Sequence, residues 1–480
     1  MTSSSSGMPL NALPLSALPH PPGRLPVLGD VRSVDRRRPT QHETELTREL
    51  GPIFQRELLG NRLVVVGGAD LARQTLDEES WGRVLVGPLA QLRAVAGAGL
   101  FTARTRDPLW GQARRILTPG FAQAAMRVYH DAMASVADDL TQKWTESPVI
   151  DVHRDMTAAT LEVIGRAGFS RRMGLLGSDD GAADGTGEFL DALGRILLWA
   201  GESTNDVPML GPIREVLGSR RRNADIATGR RFVSSIIETR VREGARGRND
   251  LLGLMLETAD PETGERLPLR NVTDQVLTFL AAGHETTAAL MEVALYYLAA
   301  EPEVADRIAT TELDGTALTY ENVVRLRQIR AYLNECLRLW PPAPGFFRLA
   351  RTDQVLDGYH VPAGRAVFVL ALAAQRDPAV WGPDADLFRA DRFLGERLTA
   401  SSRKFFAPWG TGPRSCIGRQ FAIHESSLLL ASVLSRFDLR LEKPTDLVMR
   451  ERATLRPEPF TLVASPRTTV PAAPVASGRS

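Results

Sequence analysis

The chain has 480 residues, 43% of them hydrophobic, and a formal net charge of +1. That length suits one large domain or about three average ones, and the near-neutral charge gives no reason to invoke nucleic acid. Two cysteines, Cys336 and Cys416, leave no disulfide framework once one is engaged elsewhere, which points to a reducing compartment, the cytoplasm.

Residues 1–17 are rich in Ser and Pro and are expected to be disordered, as are residues 467–480. No basic run followed by an apolar one opens the chain, so no membrane anchor is expected. Residues 18–466 show neither a repeat nor a linker and read as a single domain, mainly α with a small β region. Arg62–Val66 has the β-branched run of a strand, ended by Gly67-Gly68. Trp110 and Arg114, four apart on a predicted helix, point an indole N–H and a guanidinium the same way. Such a pair either holds an anionic group or is a surface cation–aromatic contact. Residues 174–187 form a polar, glycine-dense loop that covers a ligand site or simply lies on the surface. Arg220–Arg222 and Arg230-Arg231 read as solvated helix faces.

A long apolar helix is predicted over Val272–Ala300. His284, Glu285, Thr286 and Glu292 interrupt it, so it reads as a buried helix and not a membrane span. An acid and hydroxyls in mid-helix cost stability unless they are used; the alternative is a threonine that hydrogen-bonds back to its own helix. His284 reads as a spacer. Glu335 and Arg338, three apart, share a helix face, and Arg365–Ala371 resembles a second strand. Finally, Trp409–Gly418 sets Cys416 among Gly410, Gly412 and Gly418 with Arg414 close by. Glycine lets backbone approach a ligand closely. A predicted helix, Ile417–Leu434, follows the cysteine, and its amides and dipole would favour a thiolate.

The Trp409–Gly418 run resembles the haem-binding signature of the cytochrome P-450 superfamily, F-G-x-G-x-R-x-C-x-G. Ala282–Thr287 resembles its A-G-x-[DE]-T-[TS] element, Glu335–Arg338 its E-x-x-R element, and Trp110/Arg114 its W-x-x-x-R pair. Over about residues 21–466 the chain is similar in particular to the haem domain of bacterial self-sufficient fatty-acid hydroxylases. The resemblance implies a haem b whose iron is held by Cys416, with Trp110, Arg114, Trp409, Gly410, Gly412, Arg414 and Gly418 around it. Arg114 and Arg414 would meet haem propionates. Thr286 and Glu285 would manage the protons that dioxygen activation consumes, and Arg392 would join Glu335 and Arg338 in a buried network under the haem loop. Leu100, Phe101, Ala282 and Ala343 would line a largely apolar pocket, ordinary core packing being the alternative.

Departures from those relatives carry their own expectations. Trp409 replaces a phenylalanine, and its indole either hydrogen-bonds the thiolate or only fills space. Ala390 replaces a frequent proline. The arginine and tyrosine that bind a fatty-acid carboxylate in the relatives correspond to Asn61 and Val65, and Arg62 is shifted by one position, which reverses its facing on a strand. The expected activity is therefore a monooxygenase acting with O2 on a neutral lipid, acyl chain, terpenoid or polyketide intermediate, in a bacterial, soluble, monomeric protein of secondary metabolism. Its electrons would come from NAD(P)H through a ferredoxin or flavodoxin with its reductase, docking on Arg115, Arg127, Arg403, Lys404 and Arg419. The rival readings are a haem-thiolate sensor that does not turn over, and a peroxide-driven oxygenase.

Overall fold

The computed structural model describes residues 12–467 apart from 105, 178–184, 203–210, 245–248, 396–397 and 399. It divides into two compact units, one of residues 1–86, 337–389 and 395–415, the other of residues 87–336, 390–394 and 416–480.

The first unit is built on a five-stranded sheet. Ile53–Leu58 pairs antiparallel with Asn61–Val66 across a two-residue turn, and Asn61–Val66 runs parallel to Ala366–Val369. Phe346–Ala350 and Trp81–Arg83 extend the sheet antiparallel. The predicted strands are thus present, the second ending at Val369 because Ala371–Ala374 turns into a short helix. Alternation buries Val64, Val66, Val367 and Val369 with Ile53 and Trp81 in one core. Residues 12–17, expected to be disordered, are ordered. Leu13-Pro14 adds a parallel strand to Tyr359–Val361, and Leu15–Ala17 forms a 3-10 turn. Pairing to a distant strand supplied the order that local composition did not announce. Residues 1–11 and 468–480 lie outside the described residues.

The second unit is helical. Its centre is Leu269–Ala300, a continuous α-helix whose residues are buried nearly along its whole length. Val152–Val163 packs along it, and Thr160 Oγ donates to the carbonyl of His284 at 3.0 Å. Arg419–Leu434 packs against Gln123–Glu146. The cysteine-side helix starts two residues later than predicted, at Arg419, with Gly418 as its N-cap. Three antiparallel strands and the hairpin Met449–Glu451/Leu455–Pro457 complete this unit. Of the polar stretch 174–187, residues 178–184 lie outside the described residues, and its last two residues belong to the helix Thr186–Glu202. No helix among the described residues is long and apolar enough to cross a membrane.

Candidate active site

The loop before the cysteine is set by backbone conformation. Gly410 and Gly412 have φ of +67° and +68°, a region that other residues adopt only with strain. Gly412 is doubly constrained, since a Cβ there would stand 2.9 Å from Glu78 Oε1. Glu78 is in turn held by buried Arg348 at 3.1 Å, whose guanidinium also donates to the carbonyls of Thr75 and Trp81. Sequence reasoning missed this buttress, because nothing local links residues 78, 348 and 412. Pro413 starts a 3-10 turn over Gly412–Arg414, and Trp409 and Arg414 are half-buried.

In the second unit, Cys416 is exposed, yet enough protein surrounds the sulfur that burial raises its thiol pKa. The Gly418 amide and the charges of Arg114 and Arg419 pull the other way and lose. The expected help from the helix terminus is present, but by itself it does not generate a thiolate. A bound cation would, since coordination deprotonates a thiol outright. Gly418 has φ of −79°, so its place here rests on capping and on lying beside Cys416 Sγ, not on a left-handed backbone.

Trp110 and Arg114 lie on Pro108–Leu117, a helix capped by Asp107, whose side chain accepts from the Leu109 amide. Burial lowers the pKa of Arg114 and the Cys416 sulfur raises it, so the W-x-x-x-R arginine lies close enough to the sulfur to feel its charge. Arg83 in the first unit is also desolvated, its pKa falling to about 10. Half-buried cations of this kind suit the carboxylates of a large anionic ligand.

The long helix carries the other half of the chemistry. Its ends are open, and near its middle Ala281, Ala282, Gly283 and Thr286 form a half-buried run between buried stretches. This is the uncovered window a flat ligand and a small gas molecule require. Thr286 Oγ donates to the Ala282 carbonyl at 2.8 Å, so back-bonding does occur, and it leaves the hydroxyl oxygen as an acceptor. The His284 ring bonds the Leu280 carbonyl, and burial lowers its pKa to about 4; it is a neutral spacer, as expected. Glu285 is buried, accepts from Thr454 Oγ at 3.0 Å, and has its pKa raised by burial against the opposing charge of Arg456. A carboxyl poised to keep its proton is a general acid in waiting.

Leu100 and Phe101 diverge. The Leu100 amide donates to Gln275 Oε1 on the long helix at 2.9 Å and its side chain is buried, whereas the Phe101 ring is 44% exposed. Gly99 makes this docking possible, because a Cβ there would collide with Thr278 Oγ at 2.0 Å. Ala343, in the first unit, is exposed after two buried prolines.

The predicted supporting residues have separate partners. Glu335, fully buried, meets Arg392 at 3.5 Å in the second unit. Arg338, in the first, donates to the carbonyls of Gln375, Ala385 and Leu387 and lies over the Trp381 ring. Arg338 is thus a backbone clamp, and Gln375 and Trp381 were not legible beforehand.

Two expectations change. Arg115 is bound by Asp260 at 2.7 Å and by Glu262, and Arg127 is bound by Glu321 and lies over Tyr320. Both cations are therefore committed to partners on this chain, which weakens the predicted basic patch. Arg62 likewise bonds Glu57 on the neighbouring strand at 2.9 Å, while Val65 is fully buried and Asn61 exposed.

An accessible cysteine at a helix entrance, half-buried cations and a windowed helix with an acid–alcohol pair fit a haem held by a thiolate. The comparisons agree. The cytochrome P450 family profile matches residues 19–464, and the chain belongs to that family. It is 36% identical over 467 residues to a bifunctional cytochrome P450/NADPH–P450 reductase of Bacillus cereus, covering 94% of this chain and 42% of the relative. A Bacillus subtilis protein of the same name is 36% identical over 444 residues, covering 90% and 41%. A self-sufficient cytochrome P450 monooxygenase of Phanerodontia chrysosporium is 34% identical over 464 residues, covering 94% and 43%. The chain therefore spans less than half the length of these relatives.

Proposed function

We propose that the protein is a haem-thiolate monooxygenase that inserts one atom of dioxygen into a hydrophobic, neutral small molecule. The single observation that carries this reading is the Glu285–Thr286 pair beside the half-buried run Ala281–Gly283 near the middle of a mostly buried helix. A binding or sensor protein needs no acid there.

Bound haem supplies the oxygen activation and the electron acceptance that no side chain can. Cys416 would hold the iron, and Arg114 and Arg414 would neutralise the propionates. Glu285 holds a proton at its carboxyl and gives it up toward the window. Thr286, whose hydroxyl donates to Ala282, would offer its oxygen lone pairs as an acceptor beside Glu285. Per turnover, two electrons from NAD(P)H and two protons accompany one oxygen atom into the product and the other into water. The electrons come from a ferredoxin or flavodoxin with its reductase, or from a reductase of the type the relatives carry in the same chain. Arg403, Lys404 and Arg419, which are exposed, remain the candidate docking cations. The reducing environment that two free cysteines favour points to the cytoplasm.

The commitment of Arg62 to Glu57 and the burial of Val65 support a substrate other than a free fatty acid: an ester or carrier-bound acyl chain, a terpenoid or a polyketide intermediate. The test is a Soret titration of the ferric holoprotein with free fatty acids, their methyl esters and small terpenoids. A saturable spin-state shift with esters or terpenoids, silence with acids, and incorporation of labelled dioxygen on turnover are the expected results. A shift with free acids would restore a carboxylate anchor. Turnover with hydrogen peroxide alone, exceeding that with reductase, would favour the peroxide-driven reading.

A further inference from the structure

Behind Glu285 lies a buried charge cluster that the acid–alcohol motif does not include. Glu285 and Glu292 are seven residues apart on the long helix, hence two turns apart on one face. Thr454 lies in the turn just before the strand Leu455–Pro457, which carries Arg456. Thr454 holds Glu285 at 3.0 Å; Arg456 Nε donates to Glu292 Oε2 at 3.2 Å, and its terminal nitrogen reaches Glu292 Oε1. The same terminal nitrogen bonds Thr157 Oγ at 3.3 Å. His153, from the helix Val152–Val163, brings Nδ1 to 3.2 Å from that same Glu292 Oε1. His153 retains 32% of its side-chain exposure while Glu292 has 1%. The cluster therefore has one titratable member that solvent can reach, and it competes with Arg456 for a single carboxylate oxygen.

Resting on the monooxygenase reading, we propose that His153 is the outer member of an electrostatic relay: a proton taken up at His153 draws Glu292 away from Arg456 and leaves the Arg456 charge to favour release of the proton held on Glu285. The balance is simple. One N–H forms on the imidazole from solvent, one O–H of Glu285 breaks toward water at the Ala282–Thr286 window, and the net charge of the cluster does not change. No proton needs to travel along the arginine.

The charges surrounding these groups agree with that coupling. Glu285 responds to Arg456, Glu292 and His153 together, while His284, next to it, stays neutral. His153 faces Glu292 from the long helix and Arg450 from the strand Met449–Glu451, at 3.3 Å; Arg450 is itself paired to Glu458 at 3.5 Å. Glu292 and Arg456 are positioning residues here, acting on the reaction only through Glu285.

The experiment compares His153→Lys, permanently charged, with His153→Gln, permanently neutral, in the haem-loaded protein. The partial exposure of His153 lets both variants fold. The readout is the protonated-carboxyl infrared band, assigned by its loss in Glu285→Gln and followed against pH. The deprotonation midpoint is expected to lie about one pH unit lower in His153→Lys than in His153→Gln, and the difference is expected to shrink when Glu292→Gln is added. Equal midpoints would overturn the relay. The carbon monoxide difference spectrum of the same samples keeps the two readings separate: a thiolate band with equal midpoints rejects the relay alone, whereas a missing thiolate band rejects the haem-thiolate reading itself.

Discussion

The cysteine loop and the centre of the long helix are built by opposite means. Around Gly410–Ser415 the determinants are backbone ones: left-handed glycines, a proline-led turn and a Glu78–Arg348 buttress that a Cβ at Gly412 would strike. Around Glu285 the backbone is a plain α-helix, and the determinants are side-chain charges drawn from another helix and a hairpin. The first is fixed by backbone shape, which tolerates little substitution. The second tunes a proton through a sum of opposing charges, which can be adjusted one residue at a time.

This contrast can be broken at several points. Replacing Cys416 with Ser is expected to abolish the thiolate-type carbon monoxide spectrum and all turnover, since nothing else in the loop can donate a thiolate; a surviving thiolate band would assign the ligand elsewhere. Glu285→Gln is expected to lower turnover by about 100-fold or more while leaving the spectrum and the unfolding temperature close to wild type. Near-normal turnover would remove Glu285 from the proton path. Glu335→Ala leaves Arg392 without its carboxylate and is expected to cost about 3–5 kcal/mol, read as a lower denaturation midpoint with haem loss.

Acid stability sharpens the comparison on the side-chain half. The pKa values of His284 and His424 fall from the ordinary 6.5 to about 4, chiefly through burial. The unfolded chain therefore binds more protons between those values, so the stability from keeping each ring neutral is complete above pH 6.5 and is lost as pH falls toward 4. Each ring contributes at most about 3 kcal/mol by this route. Unfolding midpoints measured across that range should fall less steeply in His424→Gln than in wild type. The smallest expected effect is on the loop side: Trp409→Phe should lower the haem reduction potential slightly if the indole donates to the sulfur, and an unchanged potential would leave Trp409 as packing only.

Much of the site was readable because its motifs are local. The cysteine loop, the acid–alcohol pair and the W-x-x-x-R pair each fit within one turn or one helix, so their residue types at short spacing are visible locally, although the buttress of Glu78 and Arg348 behind the loop is not. The predicted long helix and both strands appeared for the same reason, their hydrophobic period being a local signal. Order in residues 12–17 was not readable, because it depends on a strand more than 340 positions away. Nor was the commitment of Arg115 to Asp260 or of Arg127 to Glu321: a count of cations does not reveal which of them the fold has already neutralised.

The amino-acid sequence by itself made the family legible and pointed to Cys416, Glu285 and Thr286 as candidates, because sulfur, carboxyl and hydroxyl chemistry belongs to residue types at short spacing. Only the tertiary structure decided how strongly Glu285 keeps its proton, which arginine balances it, and that a single partly exposed histidine reaches the same carboxylate. Those properties are sums of burial and charge over distances that the chain crosses only once it has folded, so no window of sequence contains them.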